Sequence, residues 1–170
     1  VAVLDDLSSG KREKLPQQVP VTVGDVADAG LVKRCVKGCD GVFHLAAVAS
    51  VDRSREAWLE THRSNLTGAI AVFDAAKDAG ADGKPIPVVY ASSAAVYGVN
   101  PSTPLNEDAV TRPLAGFGAE KLGGEVLVNQ TTASDQIESN VGELADGGYV
   151  ISWNGYNSTT FSYEIYARMY

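Results

Sequence analysis

VVYASSAAVYGVNPSTPLNEDAVTRPLAGFGAEK, residues 88–121, is the stretch whose reading decides the fold. Val88 to Ser92 is a short run with apolar residues on both alternations, the pattern of a strand covered on both faces of a parallel sheet. It ends in two adjacent hydroxyls, Ser92 and Ser93. A loop rich in proline and turn residues follows, and Phe117-Gly-Ala-Glu-Lys121 then opens a helix that carries a lysine in its first turns.

Upstream, the same kind of strand recurs. Val1 to Leu4 is apolar and stops at Asp5-Asp6, followed by the turn-rich Leu7-Ser-Ser-Gly10. A strand ending in an acid fits a nucleotide-binding half-sheet, where the carboxylate accepts from ribose hydroxyls, and equally fits an ordinary strand with a solvated end. Val19 to Val23 is a second strand, ending in Gly24-Asp25-Val26, and Gly41 to Ala47 is a third, ending in the small residues Ala46 and Ala47. Small residues there let a ligand approach the backbone. His44, inside that strand, reads as a core residue and not a general base. Ala29 to Lys37 is a helix capped by Asp28. Arg53 to Ala76 is one long helix, broken near its start, whose apolar face (Trp58, Leu59, Leu66, Ala69, Ile70, Phe73) is interrupted by Asn65. A buried asparagine there must bond a neighbouring backbone or meet a ligand. The order β-α-β-α-β argues for an α/β domain with a parallel sheet covered on both sides.

Downstream the character changes. From Gly124 the chain is rich in Thr, Ser, Asn, Gly and Tyr. Gly147 to Trp153 and Ser162 to Met169 alternate like strands, and the stretch from Asn154 to Thr160 is turn-rich. The expected organisation is an α/β unit over 1–123 and a β-hairpin or meander over 124–170.

Composition narrows the function. With 14 basic and 21 acidic residues the net charge is −7, which argues against nucleic acid or anionic membrane as partners. No apolar run approaches the length of a membrane span, and the N-terminus has no signal pattern. The chain opens on Val1 and enters a strand at once, which reads as processing or truncation. Cys35 and Cys39 are half a thiolate set with only His44 near them in sequence, so no metal site is expected.

Seven pieces in order resemble the extended short-chain dehydrogenases, in particular the epimerases and dehydratases that act on nucleotide sugars: VAVLDDLSSGKREKL, GDVAD, GVFHLAAVASVDRS, SNLTGAIAVFDAA, VVYASSAAVYG, PLNEDAVTRPL and FGAEKLGGE. The resemblance implies an incomplete Rossmann-like parallel sheet with flanking helices, a dinucleotide-binding fragment over 1–123, and the alternation after it adds a small antiparallel β tail. It implies NAD as cofactor and a nucleotide sugar as substrate. It assigns Asp5 to the adenosine ribose, Asp25 and Val26 to the adenine, and Leu45, Ala46 and Ala47 to the pyrophosphate and ribose. Asn65 supports the site from its helix. Ser93 binds the substrate hydroxyl, and Lys121 holds the nicotinamide ribose and lowers the pKa of the family's tyrosine. At that tyrosine's position stands Phe117, which has no proton to exchange, and losing a general base costs about two to four orders of magnitude in rate.

Two further departures accompany Phe117. The family's opening strand and glycine-rich turn are not in this sequence. In the order 3-2-1-4-5 that strand is central, so both its neighbours are left with unpaired backbone. The family's substrate-binding half is also not in this sequence. The stretch from Gly124 resembles a single β-repeat of large secreted bacterial adhesin- or RTX-type proteins, on LADGGYVISW and IYARMY. Two functions follow as expectations. One is a cytoplasmic NAD-dependent enzyme impaired at Phe117. The other is a non-catalytic module that self-associates as a homo-oligomer or by strand exchange.

Overall fold

In the computed structural model, which describes residues 1–101, 104–106, 108–129, 136–143, 149–157 and 162–169, four three-residue strands pair in parallel twos. β1 (Val3–Asp5) lies beside β2 (Val21–Val23) with Leu4 opposite Thr22, and β3 (Val42–His44) beside β4 (Val88–Tyr90) with Phe43 opposite Val89. Backbone bonds prolong each pair: Gly24 N–H donates to the Asp5 carbonyl at 3.1 Å and Ala91 N–H to the His44 carbonyl at 3.2 Å. Among the described residues no ladder joins β1 to β3. The sheet is parallel, as its sequence pattern predicts, and incomplete, as the family resemblance implies.

The first helix, α1 (Ala29–Val36), starts where Asp28 Oδ1 accepts the Leu31 N–H at 2.9 Å, filling one of the unmet donors of the first turn. It stops ahead of Gly38, whose φ of +77° is left-handed. Its buried Val32 and Val36 meet Ala71, Val72 and Ala75 of α4 (Gly68–Ala76), with Leu4, Val42 and Val88 of the strands packed below. That is the core, and it lies on one face of the sheet. The continuous apolar strands predict cover on both faces. The structure differs: Val42, His44 and Tyr90 face the helices, while Phe43, on the opposite face, is 72% exposed.

The predicted long helix is four pieces. α2 (Val51–Glu56) is capped by Ser50 Oγ, which accepts the Arg53 N–H at 3.1 Å. The chain breaks at Ala57 and resumes as α3 (Trp58–His62), then a π-turn over Arg63–Thr67, then α4. A π-turn takes one residue more than an α-turn, so it rotates everything on either side out of phase. The predicted apolar face is corrected accordingly. Trp58, Leu59 and Ile70 are exposed, whereas Ser54, Thr61 and Asn65 are buried. The two hydroxyls satisfy themselves, Ser54 Oγ donating to the Val51 carbonyl at 2.7 Å and Thr61 Oγ to the Trp58 carbonyl at 2.9 Å.

After β4 a short 3-10 turn, Ala94–Val96, leads into the loop, and α5 (Gly116–Asn129) returns across the Tyr90 end of the sheet, running through residue 123. A separate antiparallel sheet has the order β5 (Gln136–Glu143), β6 (Tyr149–Asn157), β7 (Ser162–Met169), the small β tail that the composition predicts. The first four residues of the predicted turn, Asn154 to Asn157, instead extend β6, because β7 offers each a backbone partner as far as Asn157 opposite Ser162. Residues 158–160, and Gly147 and Gly148 of the predicted strand, lie outside the described residues.

Candidate functional site

The carboxyl ends of β1, β2 and β3 open on one pocket of about 160 Å³. Asp5, Asp25, Val26, Leu45, Ala46 and Ala47, the six residues assigned to a cofactor outside the helices, all line it. Val48 and Ser64, which the sequence did not single out, also line it. Parallel strands make this crevice by themselves: each ends on the same side, and the chain turns away there, leaving its last side chains around a gap.

Asp5 ends β1. Its Oδ1 accepts the Leu7 N–H at 2.7 Å, which holds the turn that carries Leu7 at a left-handed φ of 57°. Asp5 Oδ2 has no partner among the described residues. The nearest arginine of that loop is committed elsewhere: Arg12 donates to the carbonyls of Leu15, Pro16, Gln17 and Val19. Asp25 Oδ1 accepts the Ala27 N–H and Oδ2 the Arg63 Nε–H, each at 2.8 Å. The Ala27 amide and the Arg63 guanidinium hold this carboxyl below its usual range against the effect of its partial burial.

Behind the pocket stands Asn65, in the π-turn and 1% exposed. Its Oδ1 accepts the Val48 N–H at 2.8 Å, and its Nδ2 donates to the Val48 carbonyl at 3.3 Å and to Glu120 Oε2 at 2.8 Å. Of the two alternatives that burial leaves to an asparagine, this structure shows the first, a bond to neighbouring backbone.

Ser93, Phe117 and Lys121 lie outside the pocket lining, at the junction of β4 and α5. Ser93 caps the 3-10 turn, its Oγ accepting the Ala95 N–H at 3.2 Å, so its own proton is left to donate. Gly118 sets the approach of α5 to that turn: a Cβ there would stand 2.5 Å from the Ala95 carbonyl oxygen. Phe117 is buried beside it. Lys121, also buried, donates from Nζ to the Ala91 carbonyl at 2.6 Å and sits 4.8 Å over the Tyr90 ring. Burial holds its ammonium below the usual lysine range, opposed by Glu120 and Glu125.

Two acids here, Glu120 and Glu125, are not among the residues that the sequence singles out. Glu125 Oε1 accepts the Ser92 hydroxyl, and burial pushes its carboxyl up, opposed by that bond and by Lys121. Its spacing of four from Lys121 puts both on one helical face, a signal that could have found it. Glu120 is 3% exposed, and its Oε1 has no partner among the described residues. His44 is buried as predicted, stacked on Tyr90 with ring centroids 5.6 Å apart, and burial followed by the nearby Lys121 pushes its imidazole down to about 4. Cys35 and Cys39 are free thiols, the Cys39 Sγ–H donating to the Cys35 carbonyl at 3.5 Å.

The geometry supplies an open pocket with one unpartnered carboxylate oxygen and a hydroxyl donor at the end of β4. The described residues provide no side chain at Phe117 that could take the proton from a bound alcohol.

Comparison with known proteins gives a consistent set. Residues 1–145 match the NAD dependent epimerase/dehydratase family. A UDP-glucose 4-epimerase of Azospirillum brasilense is 36% identical over 138 residues, 80% of this chain and 38% of that protein. The UDP-N-acetylglucosamine 4-epimerase of Methanobrevibacter ruminantium M1, solved with UDP-N-acetylmuramic acid, superposes with a TM-score of 0.69 at 33% identity, covering 76% of this chain and 41% of its own. The Bordetella bronchiseptica enzyme WbmG, solved with NAD, gives 0.66 at 31% identity, with 76% and 41% covered. The chain thus spans about two fifths of the length of the curated relatives it matches. None of these matches carries the adhesin-like resemblance of the stretch from Gly124, and the family match itself extends past residue 123 to 145.

Proposed function

The chain belongs to the NAD dependent epimerase/dehydratase family, and from that premise we propose that it binds the adenosine half of NAD at the strand ends and is impaired in hydride-transfer chemistry on a nucleotide sugar. The observation that carries this reading is the gathering of Asp5, Asp25, Val26, Leu45, Ala46 and Ala47 around one pocket. These residues fit the group. A carboxylate with an unpartnered oxygen suits the ribose diol, and the small side chains of Ala46 and Ala47 leave the strand-end backbone accessible. Asp5 favours NAD over NADP, since a 2′-phosphate meets its negative charge and Arg12 is held by four carbonyls.

When bound, the nicotinamide supplies a hydride acceptor. In this reading Ser93 donates to the sugar hydroxyl, and Lys121 stands on the same edge, its ammonium on the Ala91 carbonyl. Phe117 leaves the proton of that hydroxyl without an acceptor, and this is the proposed cause of impairment. The reading places the protein in the cytoplasm. Among the described residues no helix is long and apolar enough to cross a membrane.

Calorimetric titration with NAD of the native chain and of Phe117→Tyr, with NAD-linked turnover of UDP-sugars followed in both, tests the reading. The expected result is NAD binding in both and turnover raised at least about a hundredfold in the tyrosine variant. No binding in either overturns it.

A second reading rests on the absence of a ladder between the β1–β2 and β3–β4 pairs among the described residues. Edges left open inside a sheet accept a further strand, and a non-catalytic module that completes its sheet by strand exchange with a second copy uses them so. Sedimentation separates the two: a homo-oligomer that shows no NAD binding supports the module.

A further inference from the structure

Glu120 is a carboxyl buried at 3% exposure on the face of α5 that meets the π-turn, and no motif accounts for it. One of its oxygens, Oε2, accepts from Asn65 Nδ2 at 2.8 Å, and the other has no partner among the described residues. A buried carboxyl with an unused oxygen is costly, so the bond that it does make calls for a role.

Asn65 supplies that role. Its amide faces the peptide of Val48, accepting the N–H at 2.8 Å and donating to the carbonyl at 3.3 Å. The Val48 carbonyl also accepts from the Ser50 N–H at 3.0 Å, whereas Asn65 Oδ1 is the acceptor of the Val48 N–H. An amide turned over by half a rotation would aim its nitrogen at that N–H and its oxygen at Glu120, setting donor against donor and acceptor against acceptor. A carboxylate oxygen 2.8 Å from Nδ2 therefore selects the rotation that holds the Val48 N–H. Val48 is not part of a strand, and it lines the pocket directly after Leu45, Ala46 and Ala47.

We infer that Glu120 is a positioning residue: by orienting the Asn65 amide it fixes the peptide of Val48, and with it the pocket wall against which the cofactor lies. The part that concerns the cofactor rests on the reading given under Proposed function.

The test uses the full chain in three forms, native, Glu120→Gln and Glu120→Leu. The exchange of the Val48 amide is followed by NMR, with that of Val72 in the core as reference, and NAD affinity is measured by calorimetry. Glutamine keeps an oxygen for Asn65 Nδ2, so Glu120→Gln is expected to leave Val48 exchange and NAD affinity close to native. Leucine removes it, so Glu120→Leu is expected to speed Val48 exchange and weaken NAD by about tenfold each, with Val72 unchanged. Should Glu120→Leu fail to fold, Glu120→Met, of matching length, is read in its place. Native Val48 exchange in the leucine variant, or equal acceleration at Val48 and Val72, overturns the proposal, as does a loosened Val48 with NAD affinity unchanged. If the native chain binds no NAD, the cofactor reading falls, and the Val48 exchange still decides whether Glu120 sets the wall.

Discussion

The pocket at the ends of β1 to β3 and the buried strip between β4 and α5 handle charge in opposite ways. In the pocket the acids stay half in water and lean on backbone amides, Asp5 on Leu7 and Asp25 on Ala27, leaving Asp5 Oδ2 for something else. In the strip every charged head is turned inward on the protein itself: Lys121 on the Ala91 carbonyl, Glu125 on Ser92, Glu120 on Asn65. The first arrangement leaves one carboxylate oxygen open and contributes little to stability. The second is tied into the fold, and through Glu120 and Asn65 it reaches the pocket wall at Val48.

The largest expected effect follows from pH and lies in the strip. His44 has a pKa of about 4 when folded and 6.5 otherwise. Between those values the unfolded chain binds more protons, so stability is full above pH 6.5 and falls as the pH drops towards 4. The loss amounts to on the order of 3 kcal/mol. Glu125 acts in the other direction, because its raised pKa makes the folded chain the better proton acceptor as the pH falls towards the ordinary carboxylate range. Comparing native chain with His44→Phe isolates the histidine. In urea unfolding at pH 7 and pH 4.5 the native chain should lose more stability than the variant. Equal losses in both would mean that the imidazole is not held neutral by burial.

Next comes the contact that brings the strip together. In Gly118→Ala the new Cβ would stand 2.5 Å from the Ala95 carbonyl oxygen, a backbone atom that cannot rotate away. Either α5 or the turn after Ser93 must shift, at a cost of about 1–3 kcal/mol. Thermal unfolding should register it, while NAD affinity at the pocket changes less than about threefold. A variant as stable as the native chain would show that α5 has slack against that turn.

The same contrast explains what could be read from sequence. Short apolar strands, the Asp28 cap and the alternation of the last residues are local signals, and the α/β class with its β tail followed from them. The face of residues 58–70 did not. The π-turn at Arg63–Thr67 leaves no mark in hydrophobic periodicity, so the pattern points Trp58 and Leu59 inward and gives no sign of the buried hydroxyls of Ser54 and Thr61. The pocket residues came from resemblance, because an acid at a strand end has the same local pattern whether or not it binds a ribose. Glu120 was illegible for a stronger reason: its partner is 55 positions away, and nothing near it in the chain asks for a buried carboxyl. Asn65 was half legible, since its place on an apolar face demanded a partner without saying which.

The smallest effect on folding, and the sharpest test of the pocket, is Asp5→Asn. The amide keeps an oxygen for the Leu7 N–H at the position of Oδ1, so the turn after β1 survives. Unfolding free energy should change by less than about 0.5 kcal/mol, as for a half-exposed side chain whose local bond is retained. What is lost is the charge and the unpartnered oxygen, Oδ2, that is offered to a ribose diol in the proposed reading. Charge-assisted bonds contribute about 1.5–3 kcal/mol, so NAD should bind roughly ten- to a hundredfold more weakly. NADP should lose less, or gain, because its 2′-phosphate no longer meets a carboxylate. Calorimetry with both dinucleotides reads the two effects together. If NAD and NADP weaken alike, Asp5 acts by shaping the loop and not by reading the ribose. If neither changes, the carboxylate that makes this pocket look poised for a ligand faces water alone, and the difference in character between the two regions is one of exposure and not of purpose.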